Sequence, residues 1–139
     1  MLSDTEFNSA FAVFILRVIT GILFFFQGYD KIFNVKINNV VRTFQDPISK
    51  SWIPNSLLSP FAWITALIEL IAGVLLILGL FKNSVLMLLG LDLLLVAFAF
   101  SSIKAMWDMQ FFFPRLVFIL LLLLLPPEWD RWALDFLVK

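Results

Sequence analysis

Four charged side chains stand inside apolar runs of this sequence: Arg17 in FILRVITGIL, Glu69 in ITALIELIAG, Asp92 in LLGLDLLLVA and Arg115 in QFFFPRLVFIL. A charge in hydrocarbon costs several kcal/mol unless something answers it, so each predicts a partner elsewhere in the chain or in a ligand. Two bases and two acids, one per run, sum to zero. Counting inward at about 1.5 Å per residue puts Asp92 roughly 15 Å from Lys82, Arg115 roughly 16 Å from Pro126 and Glu69 roughly 20 Å from Lys82. These three lie within about one helical turn of one another. Arg17 falls nearer the face holding the termini, with a guanidinium long enough to reach deeper. The expectation is an ionic core in which Asp92 and Glu69 answer Arg115 and Arg17, since arginine stays charged and its planar fork can bridge two carboxylates. Gln27 and Lys31, at the exit of the first run, could close the mouth of such a core.

Three kinds of chemistry remain open for it. The charges could be structural glue between helices, which have no hydrophobic force to hold them together in lipid. They could line a pocket for a lipid headgroup or a quinone-like ligand. Or Glu69 or Asp92 could exchange a proton, as in a small proton-coupled transporter. Other chemistry is excluded by composition, because the chain has no cysteine and no histidine. Without them it cannot itself supply a thiolate, a covalent haem linkage, an iron–sulfur cluster or an ordinary haem, copper or zinc site. No catalytic residue and no metal site are expected, and any cofactor must be held non-covalently, a quinone being the candidate.

The elements that must position these residues are membrane helices. The 139 residues are 62% hydrophobic and 14% charged, against about half and a quarter in soluble domains. Ten acidic and ten basic residues balance, with no basic block to track a phosphate backbone, so nucleic acid is not an expected partner. Spans are expected at about residues 8–33, 60–81, 85–105 and 109–126, in a single domain covering 1–139. Ser3 and Glu6 fit a capping box at the start of the first helix, and the acidic N-terminus argues that this helix is retained. Gly21, Gly28, Gly73 and Gly79 are the expected close-packing positions.

Between the first two spans, Ile37, Val40, Val41 and Phe44 recur at helical spacing opposite Lys36, Asn38, Asn39 and Arg42, which predicts an interfacial helix stopped by Asp46-Pro47. Ser59-Pro60 should cap and open the second span, and Lys82-Asn83-Ser84 should turn it tightly into the third. After Pro126-Pro127, Trp129, Trp132, Ala133, Phe136 and Leu137 fall on one face and Asp130, Arg131 and Asp135 on the other, which predicts an amphipathic interfacial helix over 127–138. Lys31, Lys36, Arg42, Lys50 and Lys104 outnumber Lys82, Arg131 and Lys139, so the long loop should be cytoplasmic and the termini exported. Trp63 and Trp107, and Trp129 and Trp132, form two expected aromatic belts.

The pattern Arg17, Gly21, Gly28, Lys31 in RVITGILFFFQGYDKIF resembles the opening helix of the DoxX family of small four-helix membrane proteins. IELIAGVLLILGLF is similar to that family's second helix at Glu69, Gly73, Leu76, Gly79 and Leu80, and Trp132-Ala-Leu-Asp135 looks like its tail. The resemblance implies an all-α integral membrane four-helix bundle with an interfacial first loop and an amphipathic C-terminal helix, in the bacterial inner membrane. It implies function more loosely. Some relatives are subunits of a thiosulfate:quinone oxidoreductase, some work beside redox or thiol-stress proteins, and eukaryotic relatives assist assembly of other membrane proteins. Relatives that handle thiols carry cysteines, and this chain departs from them. The expected role is an accessory subunit or scaffold of a membrane redox system, without catalysis of its own, whose partners are the lipid bilayer, a redox protein and a second copy of the chain.

Overall fold

The computed structural model describes residues 3–49, 54–101 and 109–138, and these are helical almost throughout. The long helices are α1 (Asp4–Tyr29), α2 (Ile37–Ser49), α3 (Leu58–Leu78), α4 (Lys82–Ser101) and α5 (Met109–Leu124), followed by a short α6 (Leu134–Leu137). Three stretches, Asp4–Asn34, Asn55–Leu78 and Lys82–Ser101, are long and apolar enough to cross a membrane, and α5 adds the shorter apolar run Phe112–Leu124. The end of the expected third span, residues 102–105, lies outside the described residues, as do Lys50, Lys104, Trp107 and Lys139.

α1 starts as its sequence predicts. Ser3 Oγ accepts from Glu6 N–H at 3.3 Å and Ser3 N–H donates to the Glu6 carboxylate at 2.9 Å, a reciprocal box that satisfies amides the first turn leaves free. At its other end the helix does not stop at Tyr29 but widens into a π-helical turn over Asp30–Asn34.

α1 packs along α3, α3 on α4, α4 on α5, and α5 returns to α1. Glycine makes the first of these contacts close. A Cβ built on Gly28 would lie 2.5 Å from Leu70 N and 2.6 Å from Ala66 O, and one on Gly73 would lie 2.5 Å from Phe25 N. Gly21 meets Gly73 O and Ile77 N at 2.9 Å. These pairings (21 with 73 and 77, 28 with 66 and 70) fix α1 and α3 antiparallel with their backbones nearly touching, the small-residue mode of packing that operates without a hydrophobic driving force. The core that fills the space behind them is Val13, Phe24, Ala72, Leu76, Leu86, Leu89, Leu93, Ile119 and Leu122.

Four local expectations are corrected. α2 runs through Asp46-Pro47 to Ser49 rather than stopping there. α3 opens one residue before Ser59, from a 3-10 turn at Asn55–Leu57, and has no side-chain cap. The turn into α4 is made by Gly79, Leu80 and Phe81, with Lys82 already helical. Gly79 has φ +72°, and the Leu80 N–H returns 2.9 Å to Leu75 O, closing α3 in a left-handed glycine cap. Lastly, 127–138 is not one helix but a 3-10 turn at Pro127–Trp129, a turn, and the four residues of α6.

Gly28→Leu should separate α1 from α3, because the atoms in the way are backbone and cannot rotate aside; overpacking of this kind costs about 1–3 kcal/mol. Thermal unfolding in mild detergent should show a clear loss for Gly28→Leu. Gly90→Ala, whose new Cβ meets only Ile119 Cγ2 at 3.9 Å, should melt like the parent.

Candidate functional site

The intramembrane charges separate into two groups at different depths. The first is built on Arg17, which is completely buried. Its Nη1 donates to the carbonyls of Leu76 at 2.6 Å and Ile77 at 2.9 Å, in the last turn of α3, where the Leu76 carbonyl also accepts from Gly79 N–H at 3.1 Å. Its Nε donates to Asp130 Oδ1 at 3.1 Å and its Nη2 to the Trp132 carbonyl at 3.1 Å, and the guanidinium stands 5.7 Å from the centroid of the Phe14 ring. One side chain of α1 thus ends α3 and holds the C-terminal segment.

That segment is shaped to fit. Phe136 N–H bonds to the Ala133 carbonyl rather than one turn further back, so the Trp132 carbonyl is free for Arg17. A continuous helix over 127–138 would have consumed it. The Trp132 ring sits edge-on to Phe7, Phe11 and Phe14 at 5.6, 5.9 and 5.3 Å. Ala133 presses on Gly79, where any Cβ would meet it at 2.7 Å. Asp135 bonds twice, its N–H to Gly79 O at 3.1 Å and its carboxylate to the first amide of α4, Lys82 N, at 3.3 Å. Lys82 Nζ completes the group 3.2 Å from Asp130 Oδ2, an ion-pair contact whose angles fall short of a hydrogen bond.

The second group lies about 14–15 Å away from the α3–α4 turn, nine residues before Leu78 on α3 and ten beyond Lys82 on α4, which places Glu69 and Asp92 level with each other. Glu69 is 1% exposed and both its oxygens accept from Lys31 Nζ, at 2.8 and 2.7 Å. Lys31 lies three residues beyond Gly28, on the face that packs against Ala66 and Leu70. Gln27 sits in the same layer, since its neighbour Gly28 packs between Ala66 and Leu70. Arg115 is half-buried and acts on Glu69 only through space, with no ion pair among the described residues. Asp92, also 1% exposed, has neither oxygen hydrogen-bonded, and Gln27 Oε1 is likewise buried without a partner.

The structure therefore pairs the charges differently from the expected four-member core. Arg17 is answered by Asp130 and by backbone carbonyls, Glu69 by Lys31, and Asp92 does not pair with Arg115. Physically, Arg17 is too far toward the terminal face to reach Glu69, and carbonyls in the last turn of α3 take two of its donors. Asp130, Lys82, Trp132 and Asp135 were not among the expected site residues. A helical reading of the tail turns Asp130 toward solvent; the signal for its role was the shallow depth of Arg17, which called for an acid on the terminal face. Gly21, Gly28 and Gly73 pack helices as expected, whereas Gly79 serves the turn and the tail.

The DoxX family model matches residues 12–102, roughly two thirds of the chain. The chain belongs to the DoxX family. Arg17, Gln27, Lys31, Glu69 and Asp92 all fall within the matched stretch, while Arg115 and the tail residues that bind Arg17 lie beyond it. Searches of curated proteins and of solved structures find no match. In this DoxX protein no group of three or more metal-ligating side chains occurs among the described residues. What the inner layer can do chemically is accept hydrogen bonds, at Gln27 and Asp92, next to a closed ion pair.

Removing Asp130 leaves a buried guanidinium with one charge partner fewer, which costs about 3–5 kcal/mol when the remaining charge stays buried. Asp130→Ala should accordingly lower the unfolding midpoint sharply and expose the tail to protease. Arg131→Ala, which breaks the exposed 3.0 Å contact with Glu6 and leaves the capping box intact, should leave both readouts unchanged.

Proposed function

We propose that this DoxX protein is a four-helix bundle of the bacterial inner membrane that serves as an accessory subunit or scaffold of a membrane redox system, and that its inner polar layer holds the headgroup of a quinone-like or lipid molecule. The ring of contacts α1–α3–α4–α5 supports the bundle, with α5 as the fourth and shortest span. The observation that carries the ligand reading is the set of three buried side-chain oxygens, Gln27 Oε1 and both of Asp92, that have no hydrogen-bond partner; they call for donors, which a lipid headgroup or the quinol form of a quinone-like molecule can bring and an oxidised quinone cannot. Buried polar atoms are otherwise paired almost without exception, and more so in hydrocarbon, where no water stands ready. A purely structural polar layer would have been expected to close on itself, as the Arg17 group largely does. With no cysteine or histidine, the chain's part in a redox system is to hold and position rather than to carry electrons.

Asp92 also favours a second reading. A buried carboxylate without a paired base is the group that a proton-coupled transporter requires, and its loading and unloading would drive exchange.

Gentle extraction and native mass spectrometry test the first reading. A stoichiometric small molecule is expected on the parent and absent from Glu69→Ala and Asp92→Ala; a bare parent protein would sink the ligand reading. The transporter reading instead expects flux in vesicles that Asp92→Asn abolishes.

A further inference from the structure

The inner layer has a definite imbalance. Lys31 and Glu69 form a closed pair, one base to one acid, with Lys31 spending its ammonium on both Glu69 oxygens. Neither of them pairs with Asp92, and Arg115, the remaining base, makes no ion pair among the described residues. What is left over is a buried carboxylate that no base answers, with three acceptor oxygens, Asp92 Oδ1, Asp92 Oδ2 and Gln27 Oε1. Whatever completes the layer must bring donors, and one positive charge.

Chemical classes divide cleanly on those two requirements. A quinone offers only acceptors, which suits Lys31 and repels the three free oxygens. A hydroxyl gives one donor and no charge. A quaternary ammonium gives charge and no donor. A primary ammonium carries one positive charge and three N–H donors, the inventory of a lysine head. The layer also has a way in: Glu69 is sealed, but the Lys31 side chain is 23% exposed, so the polar layer reaches the surface at the π-turn.

We propose that Asp92 and Gln27 form a binding site for a primary ammonium group, with Asp92 supplying the charge and two acceptors and Gln27 the third. This rests on the reading of the inner layer as a ligand site and gives that ligand a chemistry. The group can come from an aminophospholipid headgroup or from a free amine.

The test compares three probes sharing one dodecyl chain: dodecylamine, dodecyltrimethylammonium and dodecanol. Each is titrated into the detergent-solubilised protein, followed by native mass spectrometry and thermal shift. Dodecylamine should bind at least about tenfold more tightly than the other two, the scale of charge-assisted hydrogen bonds. Asp92→Asn, equal in shape, should lose that preference, and Gln27→Leu should weaken the amine severalfold while leaving the trimethylammonium probe unchanged. Phosphatidylethanolamine bound in preference to phosphatidylcholine identifies the lipid source, and hexylamine displacing dodecylamine while neither lipid is preferred identifies a free amine. Equal binding of amine and trimethylammonium, or an unchanged amine preference in Asp92→Asn, overturns the proposal. If no probe binds yet the native preparation carries another molecule that Glu69→Ala removes, the ammonium site is wrong and the ligand reading stands. If no probe binds and the preparation is bare, both fall.

Discussion

The burial of Arg17 is the constraint on which the rest of the structure depends. A guanidinium that never loses its charge sits where no water reaches it, and every donor that is accounted for lands on something the fold had to place there. Two go to carbonyls at the end of α3, one to Asp130 and one to the Trp132 carbonyl. Because those carbonyls lie in the last turn of α3, a single side chain on α1 answers the charge and the helix terminus together. The tail in turn gives up regular helix at 127–138 to present an acid and a free carbonyl to the same group.

Close backbone approach makes this possible. Gly21, Gly28 and Gly73 bring α1 and α3 into contact over several turns, and that register sets Arg17 beside the end of α3 and Lys31 beside Glu69. Gly79 does a different job. Its left-handed backbone ends α3, and its missing Cβ admits Ala133 and the Arg17 head, so one residue is required by both dihedral angle and space.

The two polar groups differ in how completely they close. The outer one combines charge, backbone and aromatic contacts, with the Lys82 ammonium and Asp130 Oδ2 facing each other at 3.2 Å. The inner one contains a tight pair beside three acceptors that have no hydrogen-bond partner. On that difference the proposed ligand site rests.

Which segments are long apolar helices, and that Arg17, Glu69, Asp92 and Arg115 are set among apolar neighbours, could be read directly from the residues, because hydropathy and helical period are local properties. The capping box at Ser3 and the close-packing glycines at 21, 28 and 73 were legible for the same reason, as was the family. The partners of the charges were not. Arg17 meets Asp130 across 113 residues of chain and Lys31 meets Glu69 across 38. Balance of charge gave the right total and the wrong pairs, because side chains of this length can reach a turn up or down and backbone carbonyls compete with carboxylates for the same donors. Only the packed register of α1 on α3, and the broken path of the tail, decided which acid each base would find and which would be left without one.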